Sequence, residues 1–549
     1  MPRNRSSGRR RATQLLSRSP VGDAIARPVA GDTLRTPPRK LVRSAKPWYR
    51  LFMDYAIAVL DVGKTNKKLL VFDEKLQQLD STYRTFPPVD VDGLPAEDLG
   101  SLMNWFYEQL TEFAARYPVR VIACSTHGAA FVGVDGAGNP TVPLLDYTYD
   151  PGEEFQERFY QAVGTREELQ RTTATLALGA LINPAKQLFF NRERFPDEFS
   201  RTRWFLPFPS FFAMQLTGTA SADWTYVGNH TYLWDFHAAT WSSVADRLGI
   251  RDRLPPDVSR PYERLGTLKS DLAERVGLPE DTIITRGIHD SNASLLPYLV
   301  TENEPFVLNS TGTWCVVMRP AERVEFAENE IGKSVFFNLS AEGTPVKTAI
   351  LMAGLEFETY TDILKSIHGT DELPAFDPEV YKRVMDDASR FILPSVVVGS
   401  GQFPDSRPRV VDGSQTYELA DIRSGERIPE FFRDLDTAYA VLNLSIAAQS
   451  KVAFERVGLD AVANVYTEGG FRRNRDYNAL MAALFPKVQF SLTGIPEASA
   501  FGAAMTGRCA VEQCTPDDLN SLLSIEKERV EPVDFPGLER YIERFLEMV

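Results

Sequence analysis

Two segments with the same strand–turn–strand plan constrain the fold of this chain more than any other feature. In the first, residues 55–72, two apolar runs are separated by the polar turn 61–67. In the second, residues 306–318, two apolar runs flank the turn 310–313. Short apolar runs on either side of a polar turn containing glycine predict a β-hairpin. One hairpin near the start of each half of the chain predicts a duplicated α/β fold around a central cleft.

Helical and strand-like patterns alternate along the rest of the chain, which is typical of α/β proteins. Helical periodicity covers residues 99–117, much of 185–218, and 436–457, and strand-like runs cover 119–124, 283–285 and 464–466. A chain of 549 residues is too long for one ordinary core. We therefore predict a basic extension (1–52), an N-terminal domain (53–298) and a C-terminal domain (299–549).

The formal charge of −14 averages two different regions. Residues 1–52 contain 13 Lys and Arg and only 2 acidic residues, whereas the remainder carries a net charge of −25. We expect the Arg/Ser/Pro-rich head to be disordered. It is interpreted as a transit peptide, a nucleic-acid-binding arm or a non-functional extension, the last favoured because Met53 directly precedes the first strand-like run. The acidic remainder argues against a nucleic-acid partner.

Cysteine content and hydropathy favour a protein of the reducing cytoplasm without a membrane span. The four cysteines are too few for a disulfide scaffold, and none forms a paired C-x-x-C cluster. The longest uncharged stretch, residues 204–222, contains two prolines and several polar residues, so a buried loop and helix fit it better than a membrane span. The basic head lacks the apolar core of a signal peptide.

Familiar nucleotide and metal motifs are missing. The tripeptides beginning at Gly63 and Gly332 mimic a phosphate-binding P-loop, but the glycine required five residues earlier is Ala58 in one case and Ala327 in the other. The chain has no G-x-G-x-x-G and no H-E-x-x-H, so a Rossmann dinucleotide site and a zinc enzyme are both unsupported.

The turns of the two hairpins are better candidates for binding an anion. Each combines glycine with hydroxyl or amide side chains, and successive backbone N–H groups in such a turn can cradle phosphate. A single turn of this kind is usually an ordinary hairpin connection. Two of them, one opening each half, favour a phosphate site shared by both halves.

Three further segments carry candidate functional groups. Asp290 follows a short strand, and the strand ends of α/β proteins commonly hold catalytic groups; the alternative is that it caps the next helix. Gly469 and Gly470 follow a strand and would let backbone approach a flat ligand, or simply form a turn. His127 and the carboxylates and phenols of residues 145–150 suit a hydroxyl-rich ligand.

In this order, these residues resemble the FGGY family of carbohydrate kinases over roughly residues 53–510. The resemblance rests on the following segments: Asp61–Asn66, Ala185–Phe190, Leu216–Gly218, Ala222–Thr225, His289–Asp290, Ser310–Thr313 and Gly469–Gly470. The His-Asp-x-x-Ala and Ser-x-Gly-Thr-Trp patterns are most similar to the rhamnulokinase and fuculokinase branch. The chain departs from the family in the lysines of the first turn and in the absence of an arginine from residues 147–150, which affects the choice of sugar more than the chemistry.

The resemblance implies two ribonuclease-H-like domains of the actin/hexokinase type flanking a catalytic cleft, with Asp290 as general base and ATP and Mg²⁺ as cofactors. Asp61 would orient Mg²⁺ through water. The residues implied for ATP are Gly63, Lys64, Thr65, Asn66, Ser310, Thr311, Gly312, Thr313, Gly469, Gly470 and Asn474. Those implied for the sugar are His127, Asp135, Asp146, His289 and Asp290.

The main functional hypothesis is an ATP-dependent kinase that converts a 6-deoxy-ketohexose, L-rhamnulose or L-fuculose, to its 1-phosphate. A kinase of a ketopentose, tetrulose or polyol is the alternative within the family, and a non-catalytic actin-like ATP-binding protein is the alternative outside it. The expected partners are a small sugar and ATP, with no nucleic acid and no membrane, and the family resemblance suggests a homodimer.

Overall fold

The computed structural model describes residues 53–397 and 399–549. The predictions made for the basic head, residues 1–52, lie outside the described residues.

The first half of the described chain carries the first hairpin and ends with the helix that begins at Asp290. Its strands and helices are β1 (Ala56–Val62), β2 (Lys67–Asp73), β3 (Gln78–Arg84), β4 (Val89–Val91), β5 (Leu94–Ala96), α1 (Leu99–Ala114), β6 (Val119–Thr126), β7 (Phe131–Val134), α2 (Glu153–Val163), α3 (Arg166–Thr173), α4 (Pro184–Arg194), α5 (Pro196–Arg201), β8 (Trp204–Pro207), α6 (Phe208–Thr217), β9 (Ala222–Asp223), α7 (Trp224–Val227), β10 (Trp234–Asp235), β11 (Thr240–Trp241), α8 (Ser243–Arg247), β12 (Val258–Ser259), β13 (Arg264–Thr267), α9 (Ser270–Val276), β14 (Ile283–Thr285), β15 (Ile288–His289) and α10 (Asp290–Thr301).

The second half begins with the second hairpin. Its strands and helices are β16 (Phe306–Thr311), β17 (Cys315–Pro320), β18 (Val335–Leu339), β19 (Pro345–Leu351), α11 (Ala353–His368), α12 (Pro378–Asp387), β20 (Arg390–Leu393), β21 (Arg409–Asp412), β22 (Gln415–Glu418), α13 (Leu419–Ser424), α14 (Leu435–Val457), β23 (Asn464–Gly469), α15 (Arg475–Leu484), β24 (Gln489–Thr493), α16 (Ala498–Glu512), β25 (Lys527–Arg529) and α17 (Leu538–Met548).

Each half is built on a seven-stranded mixed sheet, and the two sheets share the order and direction of their five central strands. In the first, β1 pairs antiparallel with β2 and β2 with β3, while β1, β6 and β14 are parallel neighbours. In the second, β16 pairs antiparallel with β17 and β17 with β19, while β16, β23 and β24 are parallel neighbours. Three antiparallel strands followed by two parallel crossovers, present twice, are the duplicated α/β arrangement that the paired hairpins predicted.

The strand and helix predictions differ from the structure mainly at element ends. The polar turn of the first hairpin is shorter than predicted, because Asp61 and Val62 continue β1 and are buried. The predicted helix 436–457 is α14, which begins where the Asp434 carboxylate accepts a hydrogen bond from the Thr437 amide and ends at Gly458 in the left-handed region. Residues 185–218 contain α4, α5 and α6, interrupted by the buried strand β8.

A late segment of the chain packs against the first sheet. The small residues of α16 share a buried core with Ile57, Val121 and Ala293. Helices α16 and α10 approach so closely that a Cβ at Gly502 would overlap the Ala293 carbonyl. The domain boundary between residues 298 and 299 therefore remains a prediction. One helix from the second half of the chain, α16, covers the first sheet.

The two halves also meet along β18. The Phe337 amide donates to the Ala174 carbonyl oxygen at 3.0 Å, and the Gln170 side chain bonds the Val335 carbonyl at 2.9 Å. The halves are therefore joined at two places, at α16 and at β18. Within the described residues, no helix is both long and apolar enough to cross a membrane.

Candidate functional site

Asp290 lies where two parallel strands of the first sheet end. Strand β15 pairs with β6, placing Ile288 opposite Ser125 and His289 opposite Thr126, so the residues that follow both strands emerge together. Asp290 is the first residue of α10, and its Oδ1 accepts a hydrogen bond from the Ser291 amide at 2.6 Å. Its side chain is 31% exposed. Desolvation of the carboxylate raises the pKa of Asp290 to about 6. The carboxylate is therefore ionised at neutral pH yet is a stronger base than an ordinary aspartate.

His289 lies beside this carboxylate, His127 precedes Gly128, against which His289 packs, and both imidazoles are neutral. Burial lowers the pKa of each imidazole to about 3. His289 Nε2 lies 3.3 Å from Asp290 Oδ1 and 2.5 Å from Asn229 Nδ2. His127 packs its ring against Tyr147 and Phe208. The structure therefore brings together three of the residues implied for the sugar: His127, His289 and Asp290.

The backbone at His289 is held by the segment that resembles the family's Ala-Thr-Asp passage. The His289 amide donates to the Thr225 hydroxyl at 2.9 Å. The Thr225 hydroxyl in turn donates to the Asp223 carboxylate, which also accepts from the Tyr226 amide at 3.1 Å. Burial raises the pKa of Asp223 to about 7. Asp223 thus acts through Thr225 to fix the strand end that carries Asp290.

Asn229 and His230 complete this cluster, and sequence reasoning missed both. Asn229 bridges His289 and His230. Its Nδ2 contacts His289, and its Oδ1 accepts a hydrogen bond from His230 Nδ1 at 2.7 Å. Gly128 leaves room for them: a Cβ there would lie 2.8 Å from His230 Cε1 and 2.8 Å from His289 Nε2. The only signal in the sequence was the pair of polar residues shortly after the Ala222–Thr225 passage.

Asp61 is buried at the end of β1, at 2% exposure. Its Oδ2 accepts a hydrogen bond from the Ser499 hydroxyl at 2.8 Å and lies 3.6 Å from Lys68 Nζ. Burial raises the pKa of Asp61, against the opposing effects of Lys68 and Ser499. Its Oδ1 is buried without a hydrogen-bond partner in the described structure. An unpartnered carboxylate oxygen fits a hydrated Mg²⁺ ion, which favours hard oxygen ligands and retains several waters.

Lys68 and Glu497 form a link across the chain that the sequence did not reveal. Lys68 Nζ lies 2.6 Å from Glu497 Oε2, and Glu497 immediately precedes α16, the helix that also supplies Ser499. Burial disfavours the charged lysine, but Asp61 and Glu497 outweigh it and raise the pKa of Lys68. One helix from the second half therefore supports both Asp61 and Lys68.

The first turn is held by charged side chains. Lys67 is buried, and its Nζ donates to the Gly63 and Lys64 carbonyl oxygens at 3.1 and 2.9 Å and pairs with Glu97 at 3.3 Å. Lys64 Nζ lies 2.7 Å from Asp146 Oδ1. The family resemblance implies phosphate for Lys64 and sugar for Asp146, and in the structure without ligands the two side chains pair with each other.

The exposed tip of the first turn is formed by Thr65 and Asn66. Of the four turn residues implied for phosphate, these are the two open to solvent. Beside the turn, burial of Asp146 would raise its pKa, but Lys64 and Thr148 outweigh this effect and lower it. Asp146 is therefore a charged partner of the turn, with sugar contact remaining a prediction.

The second turn is held by backbone packing. The Thr311 hydroxyl donates to the Glu468 carbonyl oxygen and accepts from the Phe471 amide at 2.9 Å, so this side chain is committed to joining β16 and β23. A Cβ at Gly354, at the start of α11, would overlap the Gly312 carbonyl. Gly312 and Thr313 are exposed, Ser310 is half-buried, and Gly354 is a further glycine that sequence reasoning missed.

Of Gly469 and Gly470, only Gly469 is required to be glycine by the packing around it. Gly469 has φ +80°, and a Cβ there would overlap the Thr311 carbonyl oxygen, so the neighbouring strand already demands glycine at this position. A Cβ at Gly470 would lie 3.7 Å from the same oxygen, an ordinary contact. Asn474 caps α15 through Tyr477 and donates to Asn443 Oδ1 at 2.8 Å. These bonds give Asn474 a structural role, and adenine contact remains a prediction for it and for Gly470.

The structure does not bring Asp135 to the cluster. Its carboxylate accepts hydrogen bonds from the Ala137 and Asn139 amides and from the Asn139 side chain, all within the turn that follows β7. These bonds lower the pKa of Asp135. The carboxylate is therefore a turn-forming group, as aspartate often is.

A cavity of about 430 Å³ lies away from these residues, at the edge of the first sheet. Arg120, Arg264 and Asp281 are among the residues that line it, and none of its lining residues belongs to the cluster around Asp290. Among the described residues, no group of three or more His, Cys, Asp or Glu side chains is arranged to hold a metal ion directly. A metal at Asp61 would therefore depend on water and on a ligand.

Comparison with known proteins places the chain in a family. Residues 56–297 match the family model described as "FGGY family of carbohydrate kinases, N-terminal domain". Residues 303–516 match the one described as "Carbohydrate kinase FGGY, C-terminal domain".

Curated relatives are distant in sequence. L-fuculokinase of Salmonella typhi is 24% identical over 282 residues, covering 49% of this chain and 57% of that protein. Rhamnulokinase of Halalkalibacterium halodurans is 25% identical over 280 residues, covering 48% of this chain and 56% of that protein. The matched region thus spans little more than half the length of these relatives. Their names are those of the branch that the motifs resembled.

Solved structures agree over most of the chain. A carbohydrate kinase from Novosphingobium aromaticivorans superposes with a TM-score of 0.73 at 26% identity, covering 90% of this chain and 99% of that one. Xylulose kinase from Lactobacillus acidophilus superposes with a TM-score of 0.70 at 15% identity, which shows a shared fold, over 90% and 96% of the two chains. Two matching domain models in the expected order, together with the duplicated sheets, show that the chain belongs to the FGGY family of carbohydrate kinases.

Proposed function

We propose that this protein is an ATP-dependent sugar kinase whose general base is Asp290. The observation that carries the proposal is the setting of Asp290: a partly exposed carboxylate with a pKa raised to about 6, beside the neutral imidazole of His289, at the meeting point of two strand ends. An aspartate whose pKa lies just below 7 is ionised at neutral pH, and its carboxylate accepts a proton more readily than that of an ordinary aspartate.

Asp290 accepts the proton of the attacking hydroxyl through Oδ2. The Ser291 amide holds Oδ1, and no hydrogen bond within the described residues uses Oδ2. As the hydroxyl oxygen bonds to the γ-phosphorus, its proton passes to Asp290 and the bond to the β–γ bridging oxygen breaks, releasing ADP. Phosphoryl transfer of this kind depends mostly on positioning and charge stabilisation.

The two turns hold the phosphates from opposite sides. Thr65 and Asn66 form the open tip of the first turn and Gly312 and Thr313 that of the second. Their backbone N–H groups suit phosphate oxygens. Mg²⁺, bound through water at Asp61, would neutralise charge on the phosphates. Gly470 is proposed to border the adenine, and closure of the two halves would exclude water, whose attack would hydrolyse ATP.

The proposed substrate is a 6-deoxy-ketohexose, L-fuculose or L-rhamnulose, phosphorylated to its 1-phosphate. The names of the L-fuculokinase and rhamnulokinase relatives support this choice. A ketopentose is the second candidate, because a relative named xylulose kinase, from Lactococcus lactis, is 26% identical over 256 residues. A cytoplasmic location and a homodimer remain predictions.

An ADP-release assay on the full chain with L-fuculose, L-rhamnulose, D-xylulose, L-erythrulose and glycerol tests the proposal. We expect one ketose to stimulate ADP release, and Asp290→Asn to lower kcat by about a hundredfold or more because general-base catalysis is lost. ATP binding, measured by calorimetry, should survive in the variant. The wild-type kcat/KM should fall tenfold per pH unit below about 6, where Asp290 becomes protonated.

Two outcomes would contradict the proposal. Retention of more than a tenth of kcat in Asp290→Asn would remove Asp290 from the role of base. Steady ADP release that no sugar stimulates would instead support an ATP-binding protein of the actin-like type.

A further inference from the structure

Three polar side chains near Asp290 converge on Gly128. The position of a Cβ at Gly128 would lie 2.8 Å from His230 Cε1, 2.8 Å from His289 Nε2 and 3.2 Å from Asn229 Nδ2. His127 is the preceding residue in the chain. Because glycine has no side chain, these three groups can pack this closely against the backbone at Gly128.

The hydrogen bond made by His127 sets which of its ring nitrogens is free. Its Nδ1 lies 2.7 Å from the Gly128 carbonyl oxygen, which can only accept, so Nδ1 carries the proton. The ring is neutral because burial lowers the pKa of His127 to about 3. Nε2 therefore presents a lone pair, and it is buried without a hydrogen-bond partner in the described structure.

His230 is also protonated at Nδ1, but through a hydrogen bond to a different residue. Its Nδ1 lies 2.7 Å from Asn229 Oδ1, and with Asn229 Nδ2 turned to His289 this oxygen accepts the His230 proton. Burial lowers the pKa of His230 to about 3, so its Nε2 is also a bare acceptor. That nitrogen is buried and, within the described residues, has no partner.

The backbone at His230 is held in an uncommon conformation to present this ring. Its φ is +36°, in the left-handed region that non-glycine residues seldom adopt. Asn183 Nδ2 bonds the His230 carbonyl oxygen at 2.9 Å and fixes that geometry. The ring also packs edge-on against Phe336 of β18, at 6.3 Å between centroids. Such strained backbone tends to occur at ligand sites.

Two buried acceptors without partners are costly unless a ligand satisfies them. Both belong to the cluster around Gly128 and His289, and His289 contacts the proposed base, so the acceptor sugar is the ligand expected there. Building on the sugar kinase proposed above, we propose that His127 Nε2 and His230 Nε2 accept hydrogen bonds from two hydroxyl groups of the acceptor sugar, and that this pair selects neutral polyhydroxy substrates over sugar acids.

The selection against acids follows from the same geometry. A carboxylate has no proton to donate to either nitrogen, so both acceptors would stay unpaired if it lay beside them. Asp290, whose Oδ1 lies 3.3 Å from His289 Nε2, adds repulsion between like charges. A neutral sugar avoids both penalties, because each hydroxyl can donate to one imidazole.

Binding of sugar alone, without ATP, tests the inference by titration calorimetry on the full chain. The probes are L-fuculose, L-rhamnulose, D-xylulose, L-erythrulose, glycerol and D-gluconate. We expect at least one neutral sugar to bind and gluconate to bind at least tenfold more weakly. Replacing His230 by leucine should weaken the neutral sugar by about 10- to 100-fold, the range expected when a hydrogen bond to a buried group is lost.

Matched variants separate hydrogen bonding from packing. His230→Gln keeps an acceptor and should recover most of the lost affinity. His237→Leu makes the same exchange at an exposed histidine on the β10–β11 turn and should change nothing. ATP binding should stay within twofold in every variant. Deoxy analogues of the sugar that binds most tightly should identify the hydroxyl that donates to His230 Nε2. The analogue that lacks this hydroxyl should bind equally to the wild type and to His230→Leu.

The outcomes distinguish this inference from the proposed function. Equal sugar binding by wild type and His230→Leu, or tighter binding of gluconate than of every neutral sugar, would overturn the inference. Failure of every neutral probe to bind would overturn it too. Sugar binding that depends on His230 without any sugar-stimulated ADP release would leave the inference standing and overturn the kinase proposal.

Discussion

The two hairpin turns occupy equivalent places in the two sheets, but different forces hold them in position. In the first, the buried Lys67 ammonium bonds two carbonyl oxygens of the turn, and Lys64 pairs with Asp146. In the second, no ammonium group among the described residues bonds the turn; instead Gly354 packs closely against its backbone, and Gly469 packs against the neighbouring Thr311. The first turn depends on electrostatics and the second on steric fit.

The role proposed for both turns, presenting N–H groups to phosphate, would therefore rest on two different ways of holding a turn. Charged side chains hold a turn through interactions that salt and pH modify. Close backbone contacts are insensitive to both, but they tolerate no added side-chain atom. The turns should therefore fail under different perturbations, and three experiments test this contrast.

The largest effect is expected at the second turn, on replacing Gly469 by alanine. An alanine would have to adopt φ +80° and would overlap the Thr311 carbonyl. The combined cost of the left-handed backbone and the steric overlap is about 3 kcal/mol. We expect a lower unfolding midpoint in urea and weaker ATP binding.

Gly470→Ala is the matched control for that experiment. Its added methyl group makes only an ordinary contact with Thr311, so the unfolding midpoint should not move. If Gly470 borders the adenine as proposed, KM for ATP will rise while stability is retained. Equal destabilisation by the two substitutions would contradict the steric account of the second turn.

A smaller effect is expected at the first turn, on replacing Lys67 by methionine. The substitution removes two hydrogen bonds to turn carbonyls and leaves Glu97 without its buried partner. Because the side chain of Glu97 is 12% exposed, the loss should be about 2 kcal/mol, below that for breaking a fully buried pair. Urea unfolding measures the change, and Lys75→Met, at an exposed position in the turn after β2, serves as control. A loss no greater than in the control would show that the first turn does not need its buried cation.

The smallest effect is expected for the Lys64–Asp146 pair. The Lys64 side chain is 32% exposed, so a double-mutant cycle with Lys64→Met and Asp146→Asn should give a coupling of about 0.5 kcal/mol. Raising the salt concentration should reduce this coupling, whereas the effect of Gly469→Ala should not change. A coupling that is large and independent of salt would remove the contrast between the two turns.

Much of the fold was predictable because it follows from local patterns. The hairpins, the helix ending at Val457 and the strand preceding Asp290 all have apolar periodicity that sequence alone displays. Of the site, Asp290, His289 and the two turns were predictable because each lies in a short motif. His230 was not, since an isolated histidine carries no sign that its ring faces Gly128, a residue distant in sequence.

Contacts between distant segments account for the remaining differences. Lys64 and Asp146 looked like separate ligand-binding residues, and only the folded chain shows that they pair. Asp135 resembled a substrate residue, but the turn after β7 uses its carboxylate. Ser499 and Glu497 follow Asp61 by more than four hundred residues, and no local pattern connects them.

The duplicated α/β fold, the family and the position of the carboxylate proposed as the base could be inferred from the sequence. These depend on the order of apolar runs and on short motifs, which are properties of neighbouring residues. The unpartnered atoms His127 Nε2, His230 Nε2 and Asp61 Oδ1 could be found only from the folded chain. The same holds for the raised pKa of Asp290. Burial and the use of hydrogen-bonding atoms depend on residues far apart in the chain, so they exist only once the two halves have packed.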